Sequence, residues 1–252
     1  MRTNLRRAAI AALASSSLLF AAACGGSAEA EDKPAAKKSE SAKPTTPAKP
    51  LTKAQVDAAL LELKDMPAGW SADRAVVDKS VGINDFFVGN ADKEQCQPLL
   101  DQVIGKEDGP KPQAYGISAF AKDADKGPYV AAAITAYSIE DAKDLMAGKP
   151  SAKGCESFKG EVVSSDGDER ATFRFKELPA PTAGDAARSQ RLTVKWDSDE
   201  WQPVQYDLAV ARVEGAIVIA RATTPFDADD AAFQAAFKKA VEKVEAATEA
   251  AK

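Results

Sequence analysis

Three cysteines, three tryptophans and 38 acidic residues carry what chemistry this chain has, because none of its 252 positions is histidine. Without imidazole there is no Ser-His-Asp or Cys-His nucleophile, no His-based zinc site and no general base of that kind. Cys96 and Cys155 stand too far apart for C-x-x-C redox chemistry, and two thiolates alone make a poor zinc cage. In an oxidising compartment they are expected to join as one disulfide. Closing a loop of about 60 residues in this way stabilises a fold by roughly 4 kcal/mol. A carboxylate-only hydrolase needs two acids held across a cleft, an arrangement that spacing along the chain does not reveal. Asp123-x-Asp125 and Asp166-Gly167-Asp168-Glu169 resemble calcium loops only superficially: counting from Asp123, Ile134 occupies the place of the bidentate Glu. Both are read as solvated turns, and no metal or cofactor is expected.

The aromatic residues offer binding rather than catalysis. In Trp196-Asp197-Ser198-Asp199-Glu200-Trp201, two indoles flank a short acidic turn. They form either a cross-strand pair or an exposed platform for a sugar ring or other apolar ligand. Phe86-Phe87 lies in a stretch where neighbours on a strand point to opposite faces, which leaves one ring for a cleft rim. Trp196, Trp201, Phe86 and Phe87 are therefore the candidate ligand-binding residues. Trp70, after its Pro-Gly turn, reads as a core anchor.

The amino terminus gives the address. Arg2, Arg6 and Arg7 precede an apolar run, Ala8 to Phe20, too short to span a bilayer as a helix, and small residues then lead into Cys24. This resembles the bacterial lipobox, in which that Cys is acylated and becomes the new N-terminus. Ala21 replaces the usual Leu, Val or Ile, and Ala21-Ala22-Ala23 also satisfies the A-x-A rule for ordinary secretory cleavage. Cysteine parity favours acylation, since occupying Cys24 leaves an even pair. Residues 1–23 are thus expected to be a lipoprotein signal peptide. Residues 24–50, rich in Pro, Lys, Ala and Glu without an aromatic, are expected to be a disordered tether holding the chain to the outer face of the cell membrane.

Residues 51–252 are long enough for one domain with its own core. Removing the three leader arginines leaves 30 basic against 38 acidic residues, or −8, which argues against nucleic acid as a partner. A helix is expected over Thr52–Lys64, with Thr52 and Gln55 at capping-box spacing, and a second around Asp92–Ile104, carrying Cys96, Leu99, Leu100 and Val103 inward. A short third begins at Ser138 and runs through Met146. Strand patterns cover Ala114–Phe120, Tyr129–Tyr137, Ala171–Phe175, Arg191–Trp196, Gln205–Val213 and Ile217–Thr223, with Glu214-Gly215 as a hairpin turn. A terminal helix capped by Asp227 carries the stripe Phe233, Phe237, Val241, Val244. Helices flanking a run of strands give an α+β fold, a twisted antiparallel sheet with helices packed on it and one disulfide.

Met66-Pro67-Ala68-Gly69-Trp70, Cys96-Gln97-Pro98-Leu99-Leu100, Tyr137-Ser138-x-x-Asp141-Ala142 with Cys155 and Phe158, and Val210-Ala211-Arg212-Val213-Glu214-Gly215 carry a family resemblance. Together they resemble the extracellular sensor domain of mycobacterial PknH-type kinases and its lipoprotein relatives, over Leu51 to about Val244. The resemblance implies an antiparallel sheet flanked by helices, disulfides, and a cleft for an unidentified ligand. This chain has one possible disulfide where those relatives often have two. Kinase motifs are absent from it: no Gly-rich loop, V-A-I-K or H-R-D. The expected function is non-catalytic binding of a small ligand or envelope component, with the membrane engaged through the lipid. Protein–protein interaction or envelope assembly is the alternative, and a carboxylate hydrolase the third.

Detergent-phase partition of cell lysates tests the address. The native protein is expected in the detergent phase and Cys24→Ser in the aqueous phase; a native protein found wholly in the aqueous phase contradicts acylation.

Overall fold

The computed structural model describes residues 49–73, 88–104, 109–124, 127–148, 151–164, 167–179, 181–224 and 230–252. The leader, Cys24, nearly all of the tether, Phe86, Phe87 and Asp227 lie outside the described residues. What is described belongs to one unit, Pro44–Lys252.

Nine strands form one antiparallel sheet. They are β1 (Ser71–Ala72), β2 (Val88–Ala91), β3 (Ala114–Ala121), β4 (Tyr129–Ala136), β5 (Ser157–Ser164), β6 (Gly167–Leu178), β7 (Ala186–Trp196), β8 (Val204–Val213) and β9 (Ala216–Thr224), in the order β1-β3-β4-β9-β8-β7-β6-β5-β2. Among the described residues four α-helices accompany it: α1 (Lys53–Ala59), α2 (Gln97–Ile104), α3 (Ile139–Ala147) and α4 (Asp230–Ala250). The α+β class read from the sequence is the one found. All six strand patterns are present, five lengthened by one to seven residues and β4 shortened by one. β1, β2 and β5 are additional.

Alternation along each strand divides the sheet into two faces. On the rear face, α4 buries Phe233, Phe237, Val241 and Val244, the expected stripe, against Ala132, Ala209, Ala211, Ala216 and Ala220. A floor of small side chains beneath large ones lets the helix axis approach the sheet closely. α1 packs beside it on β3, where Gly116 makes room: a Cβ there would lie 3.0 Å from Val56. Trp70 is buried in the same cluster, as a core anchor should be.

The first helix is shorter than its pattern suggests. The capping box forms as expected, the Gln55 side chain accepting the Thr52 N–H at 2.9 Å. The helix nevertheless ends at Ala59, and Leu60 turns extended with ψ 150°. That break drives Leu61 into the core at 4% exposure, a direction continued helix would not give it. A separate 3-10 turn, Leu63–Asp65, follows, and the Asp65 carboxylate accepts the Glu62 N–H at 2.9 Å. Lys243 of α4 ties the break down by donating to the Leu60 carbonyl and, at 3.0 Å, to Asp65. The second expected helix is also divided: Glu94–Cys96 is 3-10 and α2 starts at Gln97.

Among the described residues, two helices pack on the front face. At the β5–β7 end, α2 lays Leu99 and Leu100 on Phe158, Phe173 and Leu192, with the fully buried Cys96–Cys155 disulfide among them. Gly160 on β5 is obligatory there, since a Cβ would stand 2.3 Å from the Asn90 carbonyl oxygen and 2.8 Å from Phe173. α3, N-capped by Ser138 as expected, places Ala142, Leu145 and Met146 over Leu208, Val210, Ile217 and Ile219.

The β8–β9 turn is where predicted, with Val213 paired to Ala216. Glu214 itself takes the left-handed conformation, φ 52°, held by its N–H donating to Asp185 at 2.7 Å. Gly215 is needed for space: a Cβ would lie 2.6 Å from the Tyr137 carbonyl oxygen.

The disulfide spans 59 positions and fastens α2 to β5, so replacing Cys96 and Cys155 together by Ala is expected to cost about 4 kcal/mol in urea unfolding. A loss below about 1 kcal/mol would show that the loop closure contributes little.

Candidate functional site

Beside the α3 cluster, on the side away from the disulfide, lies a strip over β3, β4 and β9 that meets that cluster at Ile219. Ladder registry puts Ile117, Ala133 and Ile219 in one row across these strands and Ala119, Ala131 and Arg221 in the next. Ile117, Ala131, Ala133 and Ile219 are half-buried, and Tyr115 at the rim is 40% exposed. Alanines at the centre of the strip and larger side chains at its margins make a shallow apolar trough.

Arg221 stands in the floor of that trough. It is half-buried, and its Nε is buried with no hydrogen-bond partner. Burial pushes its guanidinium below the ordinary arginine range, against a favourable contribution from the Tyr115 phenol. Four other arginines on the sheet have acceptors. Arg191 binds Asp207 at 2.6 and 2.8 Å, and Arg212 reaches Asp185 at 2.8 Å and the Glu214 carbonyl at 3.0 Å. Arg170 pairs with Asp92. Arg188, whose charge is likewise disfavoured by burial, donates to the Met146 carbonyl at the end of α3 at 3.4 Å, where a helix terminus favours a cation. Next to Arg221 on the same face, Thr223 is half-buried. Tyr206, across the ladder from Thr223, has its phenol pushed up to about 12 by burial, so it stays protonated at any physiological pH. A desolvated guanidinium with an unmet donor is costly in a folded chain unless something else pairs with it.

The tryptophan pair is elsewhere. Trp196, on the front face of β7, leans on the cluster around the disulfide. Trp201 is 50% exposed in the loop beyond, its Nε1 donating to Glu169 at 2.7 Å. Glu169 also accepts from Ser198, at 3.0 Å, and Asp197 pairs with Lys159 at 2.9 Å. The acidic loop is therefore pinned onto β5 and β6. Neither indole lies on the strands of the trough.

Arg221 went unnoticed among the candidate residues, yet the sequence holds a signal for it. Ile217-Val218-Ile219-Ala220-Arg221-Ala222 is an otherwise apolar strand pattern interrupted once, on the face shared with Ile217 and Ile219.

Two other surfaces compete with the trough. A groove of about 300 Å³ at the outer edge of β3 is lined by Leu61, Leu63, Ala72 and Phe120 with Glu62 and Asp73. Its Glu62 is already engaged by Lys64 at 2.6 Å, which holds that carboxyl below its usual range. On the rear face beyond α4, the exposed residues Arg174, Lys176 and Lys195 project from adjoining strands β6 and β7. Among the described residues no three Cys, Asp or Glu side chains gather as a metal site, and no helix is long and apolar enough to cross a membrane.

No family model matches this chain, and no curated protein matches it. Among solved structures, the extracellular domain of PknH from Mycobacterium tuberculosis is similar at 16% identity and TM-score 0.47, covering 79% of this chain and 99% of that one.

Since Arg221 costs the empty fold an unmet donor, Arg221→Met is expected to stabilise the ligand-free protein by about 1 kcal/mol in urea unfolding. Destabilisation of that size or more would mark Arg221 as a structural residue.

Proposed function

We propose that this chain is a non-catalytic binding protein, held by the Cys24 lipid at the outer face of the membrane, whose ligand lies in the front-face trough over β3, β4 and β9. The observation that carries the reading is the orphaned Nε of Arg221 in the floor of an apolar strip. A binding site needs an apolar surface and a few fixed polar groups, and this face offers both together. The absence of histidine from the sequence favours binding over catalysis. A disulfide suits an exported domain, and a Pro-containing tether would carry it clear of the lipid heads.

The rear-face cations favour a second reading, an interaction or assembly role. Arg174, Lys176 and Lys195 are exposed on an otherwise acidic protein and would fit an acidic partner surface.

Thermal-shift screening of the full chain carrying Cys24→Ser, against envelope lipids, glycans and small metabolites, tests the first reading. A ligand at about 100 times its Kd is expected to raise the Tm by roughly 5–10 °C. Ala133→Trp, which fills the trough, is expected to remove that shift. No shift with any class, or a shift indifferent to Ala133→Trp, would overturn the assignment of the site.

A further inference from the structure

We infer that the trough takes an anionic amphiphile, its phosphate or carboxylate head on Arg221 and its apolar body along Ile117, Ala131, Ala133 and Ile219. This rests on the trough being the binding site and adds the chemical class of what enters it.

The head group follows from the guanidinium. Arginine presents a planar fork of donors matched to oxyanions, and a desolvated fork binds them more strongly than one in water. Arg221 is the arginine on this sheet that the described side chains and carbonyls leave without a partner for a buried donor. A neutral acceptor could take the hydrogen bond but would leave the buried charge uncompensated, and a cation would be repelled, so an anion is the class that relieves both penalties. Thr223, on the same face two residues on, is placed to offer a hydroxyl beside the head group.

The body follows from the registry. From the Arg221–Ala131 row the strip passes through Ile219–Ala133–Ile117 to a last row in which Tyr115 is exposed and Thr135 and Ile217 are buried. Those are two steps of two residues, about 14 Å along the strands, roughly the length of an extended chain of ten to twelve carbons. Ala131 and Ala133 carry only methyl groups, so a chain can lie close to the sheet. Ile219 belongs both to the strip and to the edge of the α3 cluster, so the apolar surface continues under the helix. A hydrophilic anion such as free phosphate could satisfy Arg221 but would leave this strip wet.

Isothermal titration of the full chain carrying Cys24→Ser, below the micelle-forming concentration of each probe, decides the matter. The probes are dodecyl phosphate, dodecanoate, the neutral dodecyl maltoside and inorganic phosphate. Dodecyl phosphate and dodecanoate are expected to bind at least tenfold more tightly than either dodecyl maltoside or inorganic phosphate. Arg221→Met is expected to weaken the two anionic amphiphiles at least tenfold and to leave dodecyl maltoside unchanged. Arg221→Lys, which keeps the charge without the fork, should fall between. Equal binding of dodecyl maltoside and dodecyl phosphate, still blocked by Ala133→Trp, would overturn the anion and leave the trough as the site. Inorganic phosphate binding as tightly as dodecyl phosphate would overturn the amphiphile. Anionic binding that survives both Arg221→Met and Ala133→Trp would overturn the class and the location together.

Discussion

A nine-stranded antiparallel sheet presents two wide faces, and among the described residues the helices that cover them are few and mostly short. This constraint organises the molecule. The 21-residue α4, with α1 beside it, is committed to the rear of β3, β4, β8 and β9, where an alanine floor lets it sink in. The front must be closed by helices of eight and nine residues, neither of which would hold its place by helix propensity alone. One is fastened by the Cys96–Cys155 bond, the other by a Ser138 cap and a strip of aliphatic side chains on β8 and β9. With the two caps at separate positions, the strands outside them keep a half-covered apolar surface. The trough is what remains when a large sheet is served by small caps.

The same constraint explains which parts of the architecture were legible in the amino-acid sequence. Pairing of Cys96 with Cys155 followed from parity and compartment. The α4 stripe and the strands from β6 to β9 announced themselves by period. β5 did not, because Ser157-Phe158-Lys159-Gly160-Glu161-Val162-Val163-Ser164 carries a glycine in its middle, which lowers strand propensity. That glycine is required by the Asn90 carbonyl of β2, a neighbour 70 positions away that local pattern cannot reveal. Likewise the early end of α1 is set by Lys243, from the far end of the chain, seizing the Leu60 carbonyl.

The binding surface was less legible still, for a physical reason. Period-two alternation says that a strand has two faces, but not which one a distant helix will occupy. Trp196 and Trp201 drew attention as large, flanking an acidic turn, yet one rests on the disulfide cluster and the other is held by Glu169. Arg221 drew none because an arginine in a strand is ordinarily an edge or solvent-facing residue. It becomes informative only once β4 and β8 are seen on either side of it and its donor is found without an acceptor.

For the anionic ligand proposed above, the acidic surface of this chain is an obstacle only at long range. With 38 acidic against 33 basic residues, the surface repels negative ligands only weakly beyond about 8 Å, where salt at physiological strength screens the interaction. Inside the trough the relevant charge is one guanidinium on an apolar floor, where screening is slight and the effective dielectric low. A ligand that also brings apolar surface recovers free energy along Ile117, Ala131 and Ala133. On that proposal the apolar strip, rather than the net charge, would favour an amphiphile over a simple salt without a deep pocket.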